Sequence, residues 1–280
     1  MISFTRFFTA AAVATALTSL TGAAWAGSTL DRIHETKVIK VATSANWPPQ
    51  SFLGPDNKLQ GFDIDVASEI GKRLGSKVDF VTPEYGIITA GRWSSRWDLS
   101  VGSMTPTTER TRVLDFPAIY YYTPYVFAVH KDAAETKVAD LNGKIIGVEA
   151  GTTSEDYINR RLKIDAADVP PFTYEVTPGE VRTYGDSMGP LDDLRMGDGV
   201  RLNATLSALP TIVAAAVKNG YPIVRVEGKP AYYEPLAIAV DKGDEAFNSA
   251  LTKIVADMKA DGTLKQLSEK WYGADLTQVQ

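Results

Sequence analysis

The stretch SMTPTTERTRVLDF, residues 103–116, is the part of the sequence from which fold and function are inferred most directly. It follows an apolar, strand-like run at 97–101 and packs five hydroxyl side chains and Arg110 into nine residues. A strand that leads into a hydroxyl-rich turn and a helix start leaves several backbone N–H groups unpaired at one place. An arginine fork can hold a carboxylate through two parallel hydrogen bonds. The stretch therefore predicts a carboxylate clamp, although a capped surface helix with a solvated arginine fits the same residues.

The first 26 residues have the pattern of a secretory signal peptide. Arg6 provides a positive start, an apolar run follows at 7–20, and Ala24-Trp25-Ala26 forms a small-x-small cleavage site. A membrane anchor is the alternative, but the apolar run is short for a bilayer crossing. We therefore expect an exported protein whose mature chain begins near Gly27.

Composition excludes several classes of function. The 280 residues are 44% hydrophobic and 22% charged, as in ordinary globular proteins, and the length allows one large or two medium domains. The formal net charge of −5 gives no support for nucleic-acid binding, which uses a clustered basic surface. The chain has no cysteine and two histidines, His34 and His130, so disulfides, thiolate chemistry and a histidine-rich metal site are excluded. No cofactor is expected.

Strand and helix patterns alternate along the chain, which indicates an α/β fold with parallel strands and right-handed crossovers. Val66, Ile70 and Leu74 recur every four residues and form the buried stripe of one helix, which Gly75 ends. The predicted strands are 37–43, 77–81, 97–101, 126–130, 145–148, 174–176, 200–206, 221–226 and 235–240. Further helices are predicted at 85–90, 109–114, 155–162 and 210–218, with a C-terminal pair from 247 to 271.

A second hydroxyl-rich helix start follows the strand at 145–148. Gly151-Thr152-Thr153-Ser154 has the same order of strand end, turn and hydroxyl groups as the first stretch. The N-terminus of a helix attracts anions, although taken alone these residues are only a helix cap. Two such sites on separate strand–helix units indicate one ligand held between two lobes.

Six segments and the signal peptide, in this order, resemble the type II solute-binding proteins of polar amino acid ABC importers, the extracellular solute-binding protein family 3. The segments are KVIKVATSANWPPQSF (37–52), LQGFDIDVASEIGKRLG (59–75), WDLSVGSMTPTTERTRVLDF (97–116), LNGKIIGVEAGTTSEDY (141–157), LSALPT (206–211) and YYEPLAIAV…ADGTLKQLSEKWYG (232–273). They span nearly the whole mature chain.

The resemblance implies the type II periplasmic binding protein fold. In that fold two α/β lobes, each with a mixed, mainly parallel sheet flanked by helices, are joined by two hinge strands, here expected near 120–124 and 229–234. The implied division is a signal peptide at 1–26, lobe 1 at 27–121 and 234–280, and lobe 2 at 122–233. The implied function is capture of an amino acid or similar carboxylate in the cleft, in the periplasm, and delivery to an ABC permease in the inner membrane. A monomer is expected.

The resemblance also implies the site residues. By position, Arg110 matches the arginine that holds the ligand α-carboxylate. The other implied ligand contacts are its neighbours Ser103 and Thr105, the second-lobe donors Thr153 and Ser154, the aromatic cover Trp47 and the side-chain contact Tyr85. Trp47 can equally be a core residue.

One position departs from the family pattern. The family has an aspartate just before a Leu-Pro pair, where it accepts hydrogen bonds from the ligand ammonium, and Ala208 stands there in this chain. A buried ammonium without a carboxylate loses a bond of about 1.5–3 kcal/mol. Either another acid substitutes, for which Asp186 is the candidate, or the ligand nitrogen is substituted, acylated or absent. Gln50 replaces the usual phenylalanine and indicates a polar ligand tail.

Two other functions are compatible with the resemblance. Cyclohexadienyl dehydratases resemble these proteins and need an acid in the cleft, but no such acid can be matched by position in this sequence. A sensory protein that presents its ligand to a chemoreceptor would have the same sequence features. We expect a binding protein and not an enzyme.

Overall fold

The computed structural model describes residues 29–167 and 169–278, so the expected signal peptide at 1–26 lies outside the described residues. The α-helices are α1 (Thr29–Thr36), α2 (Phe62–Arg73), α3 (Tyr85–Thr89), α4 (Thr153–Ile158), α5 (Gly189–Leu194), α6 (Leu209–Val213), α7 (Glu245–Ala260) and α8 (Thr263–Tyr272). Short 3-10 turns lie at Arg110–Arg112 and Val138–Leu141, and a π-helical turn at Ala214–Lys218 extends α6. None of the helices described is both long enough and apolar enough to cross a membrane.

One sheet of nine strands runs through both lobes. The strands are β1 (Val38–Ala42), β2 (Asn46–Trp47), β3 (Ser51–Leu53), β4 (Leu59–Gln60), β5 (Lys77–Val81), β6 (Leu99–Met104), β7 (Leu114–His130), β8 (Ile145–Glu149), β9 (Glu180–Tyr184), β10 (Ala204–Ala208), β11 (Ile223–Arg225) and β12 (Tyr232–Asp241). The sheet order is β5-β1-β6-β12-β7-β10-β8-β9, with β11 also paired to β7, while β2, β3 and β4 form a separate small sheet. The pairs β1–β5, β1–β6, β8–β9 and β8–β10 are parallel, as the strand–helix alternation predicts.

Two long antiparallel strands connect the lobes. β7 and β12 are paired through Tyr125 with Tyr232, Thr123 with Glu234 and Tyr121 with Leu236. On one side of this ribbon β12 pairs with β6, and on the other side β7 pairs with β10. The expected hinge positions, 120–124 and 229–234, lie within β7 and around the start of β12, and their role as hinges stays a prediction.

The first-lobe core lies between the sheet and helices α2, α7 and α8. Val66 and Ile70 of the predicted stripe are fully buried, and Leu74 packs at the edge of the same cluster. Phe62 stacks against Tyr120 with ring centroids 5.8 Å apart. Burying one large apolar side chain stabilises the fold by about 1.5–3 kcal/mol, so this cluster fixes α2 against the strands that end at the cleft.

The second-lobe core includes one residue from the first lobe. Trp47, on β2, is 9% exposed and belongs to the apolar cluster of the second lobe, which also contains Tyr125, Tyr157 and Tyr232. Tyr125 and Tyr232 stack on each other with centroids 4.9 Å apart across the ribbon. Trp47 therefore connects the two lobes by apolar contact.

Two local predictions are wrong. No strand forms at 174–176, because the backbone N–H groups there bond to side chains: that of Glu175 donates to the Tyr157 hydroxyl at 3.3 Å and that of Thr177 to the Asn142 side-chain oxygen at 2.8 Å. Tyr174 packs on Tyr157 and donates to the carbonyl of Leu162 at 3.0 Å. The helix predicted at 109–114 is limited to one 3-10 turn, because the chain enters β7 at Leu114.

Candidate functional site: a cleft between the lobes

The cleft lies where strands of both lobes end. β6 ends just before Thr105, β8 ends at Glu149 and β10 ends at Ala208. Open parallel sheets bind ligands beyond the carboxyl ends of their strands, since loops and helix N-termini project there. The two hydroxyl-rich turns that the sequence singled out follow β6 and β8.

Arg110 reaches across the cleft. Its side chain is buried, with one terminal nitrogen donating to the Thr105 carbonyl at 3.1 Å and the other to the Gly151 carbonyl at 2.9 Å. The guanidinium carbon lies 5.5 Å from the centre of the Tyr85 ring, a cation–π contact. Burial raises the pKa of Tyr85 to about 12 although the Arg110 charge lowers it, so the phenol stays neutral. The guanidinium of Arg110 thus joins the turn after β6 to the turn after β8, which are the two halves of the candidate site.

Glu234, on the β12 strand of the connecting ribbon, bonds to threonines of both hydroxyl-rich turns. Its carboxylate accepts hydrogen bonds from the hydroxyls of Thr105, at 2.8 Å, and of Thr153. Burial raises the pKa of Glu234, and the two threonine hydroxyls and Arg110 oppose that shift. Sequence reasoning missed this residue, although a single charge in the otherwise apolar stretch 232–240 was a signal.

A small pocket adjoins this network. The residues that line it are Trp47, Tyr125, Glu149, Thr152, Ser154, Ser187, Pro190, Thr205, Leu206 and Ser207. Its volume of about 10 Å³ holds roughly one water molecule. Other bonds join the two lobes: Ser187 Oγ, at this pocket, donates to the Asn46 carbonyl at 3.1 Å, and elsewhere the Thr108 N–H donates to the Lys163 carbonyl at 3.0 Å. The structure therefore shows the lobes closed.

Glu149 is the acidic residue that lines this pocket. It is half-buried, and its pKa is raised to about 8 by burial first and then by the negative charges of Asp186 and Glu234. The positive charge of Arg110 acts in the opposite direction. Sequence reasoning missed Glu149, although an acid at the carboxyl end of the apolar strand IIGVE is a recognisable signal.

Asp186, the acid predicted from sequence to replace the missing aspartate, is used within its own loop. One carboxylate oxygen accepts the N–H groups of Met188 and Gly189, each at 2.9 Å, where α5 begins. Ala208 is fully buried at the end of β10. Gln50 is also fully buried, and its side-chain oxygen accepts from Thr211 of the other lobe at 3.3 Å.

Ser103 is not turned toward the pocket. Its hydroxyl lies 2.7 Å and 2.9 Å from the two carboxylate oxygens of Asp63 and 2.6 Å from the Tyr121 hydroxyl. Its backbone N–H donates to the Tyr120 hydroxyl at 2.9 Å. Burial raises the pKa of Asp63 to about 7, against hydrogen bonds from Tyr120 and Ser103. These residues form a polar cluster inside the first lobe.

The structure thus divides the predicted site residues into groups. Arg110, Thr105, Thr153 and Tyr85 surround the guanidinium, whereas Trp47 and Ser154 line the adjacent pocket. The side chains of Ser103 and Asp186 are bonded to neighbours in their own lobes. Within the described residues no cluster of His, Asp and Glu is arranged to hold a metal ion.

Comparison with known proteins identifies the relatives of this chain. Residues 39–274 match the model of the bacterial extracellular solute-binding proteins, family 3. The chain is 32% identical over 251 residues to the L-cystine-binding protein TcyJ of Escherichia coli K12, covering 89% of this chain and 87% of that protein. It is 29% identical over 238 residues to the arginine-binding protein 1 of an E. coli K12 ABC transporter, covering 84% and 90%.

Solved structures share the fold. A P235GK mutant of the arginine-binding protein from T. maritima superposes with a TM-score of 0.74 at 26% identity, covering 87% of this chain and 99% of that one. The ancestral amino acid-binding protein AncCDT-1, described as a precursor of cyclohexadienyl dehydratase, has a TM-score of 0.74 at 29% identity, covering 88% and 100%.

Proposed function

Because this chain belongs to the bacterial extracellular solute-binding proteins of family 3, we propose that it captures an amino acid, or a close derivative with a free carboxylate, between its two lobes. It then delivers this ligand to the permease of an ABC importer. Relatives named for binding L-cystine and arginine support the ligand class. Export through the signal peptide at 1–26 to the periplasm, and action as a monomer, are parts of the same proposal.

The observation that carries the proposal is the position of Arg110. Its guanidinium is buried between two turns that belong to different lobes, and its terminal nitrogens donate to neutral backbone carbonyls. A ligand carboxylate would replace those carbonyls with charge-assisted bonds, each worth about 1.5–3 kcal/mol. A ligand held in this way contacts both lobes at once, with Thr105 on one side and Thr153 on the other.

Ligand entry to the pocket beside Glu149 requires the lobes to separate. The pocket beside Glu149 holds about 10 Å³, whereas ligand pockets commonly enclose about 300–1,000 Å³. Bending of the β7–β12 ribbon would move the two half-sites apart without breaking the sheet within either lobe. The ligand then shifts the equilibrium between open and closed forms by the contacts that it makes only when the lobes close.

A thermal-shift screen of the mature protein against the free L-amino acids, L-cystine and their N-acetyl derivatives tests the proposal. We expect one or a few free amino acids to raise the melting temperature, with a Kd measurable by calorimetry. If no free or N-acetylated amino acid stabilised the protein, the proposed function would be wrong.

A second candidate is a dehydratase like the cyclohexadienyl dehydratases. Two observations favour it: the fold shared with AncCDT-1, and the pKa of Glu149, which keeps a protonated acid in the cleft at neutral pH. Such an acid could donate its proton to a leaving hydroxyl, which departs as water. Assays for the consumption of prephenate and arogenate separate the two functions, because a binding protein leaves both compounds unchanged.

A further inference from the structure

The family pattern has an acid at the position of Ala208, which this chain lacks. The neighbouring strand, β8, ends in an acid, Glu149. β8 and β10 are parallel, with Ile146 opposite Ala204 and Gly147 opposite Thr205. Counting forward along both strands brings Glu149 level with Ser207, one residue before Ala208. The Glu149 carboxyl group therefore lies at the same carboxyl-end edge of the sheet as position 208, on the face that Ser207 shares and that Ala208, one residue further on, does not.

Within residues 29–167 and 169–278, burial and the negative charges of Asp186 and Glu234 raise the pKa of the Glu149 carboxyl group, Arg110 lowers it, and no hydrogen bond is among the causes. The aromatic rings of Trp47 and Tyr125 line the same pocket. A carboxylate in such surroundings is costly unless a cation pairs with it.

Asp186 is less suited to the same role. It already accepts two backbone N–H groups at the start of α5, and it is absent from the residues that line the pocket. Turning its carboxylate toward a ligand would remove the acceptor of those two N–H groups. Glu149 can pair with a cation without losing an existing bond.

We propose that Glu149 accepts the cationic nitrogen of the ligand while Arg110 holds the carboxylate. This inference rests on the proposed function and makes it more specific: the ligand is a zwitterion with a free ammonium group, and an N-acylated compound is a poor ligand. Trp47 and Tyr125 line the pocket beside Glu149, where their rings can contact the carbon atoms of the ligand.

Binding of such a ligand is coupled to a proton. Because the pKa of Glu149 is about 8, roughly nine-tenths of these carboxyl groups are protonated at pH 7. An ammonium group lowers that pKa and releases the proton, so affinity rises with pH until the carboxyl is ionised in the free protein. The charged groups that act on Glu149 are Asp186, Glu234 and Arg110, while Tyr85 and Tyr125 stay neutral because burial raises their pKa values.

Calorimetry on the mature protein with L-cystine, L-arginine and L-histidine tests the proposal. Titrations at pH 7 in phosphate and in Tris, which have different ionisation enthalpies, give the number of protons released. For the amino acid that binds, we expect release of close to one proton by the wild type. For Glu149→Gln we expect release near zero and a Kd raised by about 10- to 100-fold. Glu227→Gln removes an exposed carboxylate from the same lobe and is the matched control.

The outcomes separate the inference from the proposed function. Tight binding of a free amino acid with no proton release by the wild type would overturn the role of Glu149 without the use of any variant. Equal Kd values for wild type and Glu149→Gln would overturn it as well. Stabilisation by N-acetyl-L-arginine and not by L-arginine would also overturn it, while the binding function stands. If none of the free or acetylated compounds binds, the proposed function fails and the role of Glu149 fails with it.

Discussion

Arg110 donates a hydrogen bond to the Gly151 carbonyl at 2.9 Å, and this bond joins the two hydroxyl-rich turns that the sequence singled out separately. The turns are about 40 residues apart in the chain and follow different strands, β6 and β8. Because the buried guanidinium bonds to both turns, it can make both bonds only when the two lobes are close together. Its bonds to carbonyls can be exchanged for bonds to a carboxylate.

Substitution of Arg110 should remove ligand binding. For Arg110→Ala we expect the Kd of the amino acid found in the screen to rise at least about 100-fold, because two charge-assisted bonds are lost. Arg110→Lys keeps the charge and loses the planar fork, so its Kd should lie between those of wild type and alanine variant. Calorimetry gives the affinities, and the melting temperature without ligand shows whether each variant folds. Unchanged affinity in Arg110→Ala would end the clamp assignment.

Glu234 should matter mainly as an acceptor for two hydroxyl groups. Glu234→Ala leaves the hydroxyls of Thr105 and Thr153 without this acceptor, and we expect a loss of about 2–3 kcal/mol in the free energy of unfolding. Glu234→Gln keeps a carbonyl oxygen there and should cost less than about 1 kcal/mol. Urea denaturation measures both. Equal losses would indicate that the negative charge, and not the accepting oxygen, is what the site requires.

Asp63 should make stability depend on pH. Its pKa is raised from 3.8 to about 7 in the folded protein, so between about pH 4 and pH 7 the folded state binds more protons than the unfolded state. The contribution of Asp63 to the free energy of unfolding is fully present below pH 4 and is lost as the pH rises through 7. In Asp63→Asn the decrease of the free energy of unfolding between pH 4 and pH 7 should be smaller by up to about 1.4 kcal/mol per pH unit.

The matched control is Asp79→Asn, which changes an exposed aspartate of the same lobe. Denaturation midpoints at pH 4.5, 5.5 and 6.5 give the comparison. The Asp63 prediction is contradicted if the aspartate and asparagine proteins keep the same pH slope.

Trp47 should report lobe closure. Its ring belongs to the second-lobe apolar cluster although its strand belongs to the first lobe, so opening moves it from an apolar to an aqueous environment. We expect a change of intrinsic fluorescence when an amino acid binds and the loss of most of this change in Trp47→Phe. Trp97→Phe, a change inside the first-lobe core, should retain the signal. A signal that survives in Trp47→Phe would mean that this ring does not move.

Much of the fold follows from local patterns. The strand predicted at 77–81 has the same bounds as β5, and the helix stripe at Val66 and Ile70 is buried as predicted. The length of β7 could not be predicted, because its partner β12 lies about 100 residues later and Pro117 and Pro124 locally indicate a break. The order of strands likewise depends on contacts that no local pattern contains.

The candidate site was predicted in part. Arg110, Thr105 and Thr153, which the structure brings together, belong to turns in which hydroxyl residues follow a strand end, a recognisable pattern, and their roles as ligand contacts stay predictions. The partner of the two threonines, Glu234, comes from a strand far along the chain, so only the folded structure brings it to them. The side chain of Ser103 is bonded to Asp63, 40 residues away, and its role as a ligand contact stays a prediction.

The path of the two connecting strands also sets the order in which the lobes can be built. β7 to β11 are consecutive in the chain, so the pairings of β7, β8, β9, β10 and β11 need no residue beyond β11. In the sheet β12 lies between β6 and β7, so the pairing of β6 with β7 through β12 needs residues up to Asp241. The lobe that contains the beginning of the described chain is therefore the last to become complete.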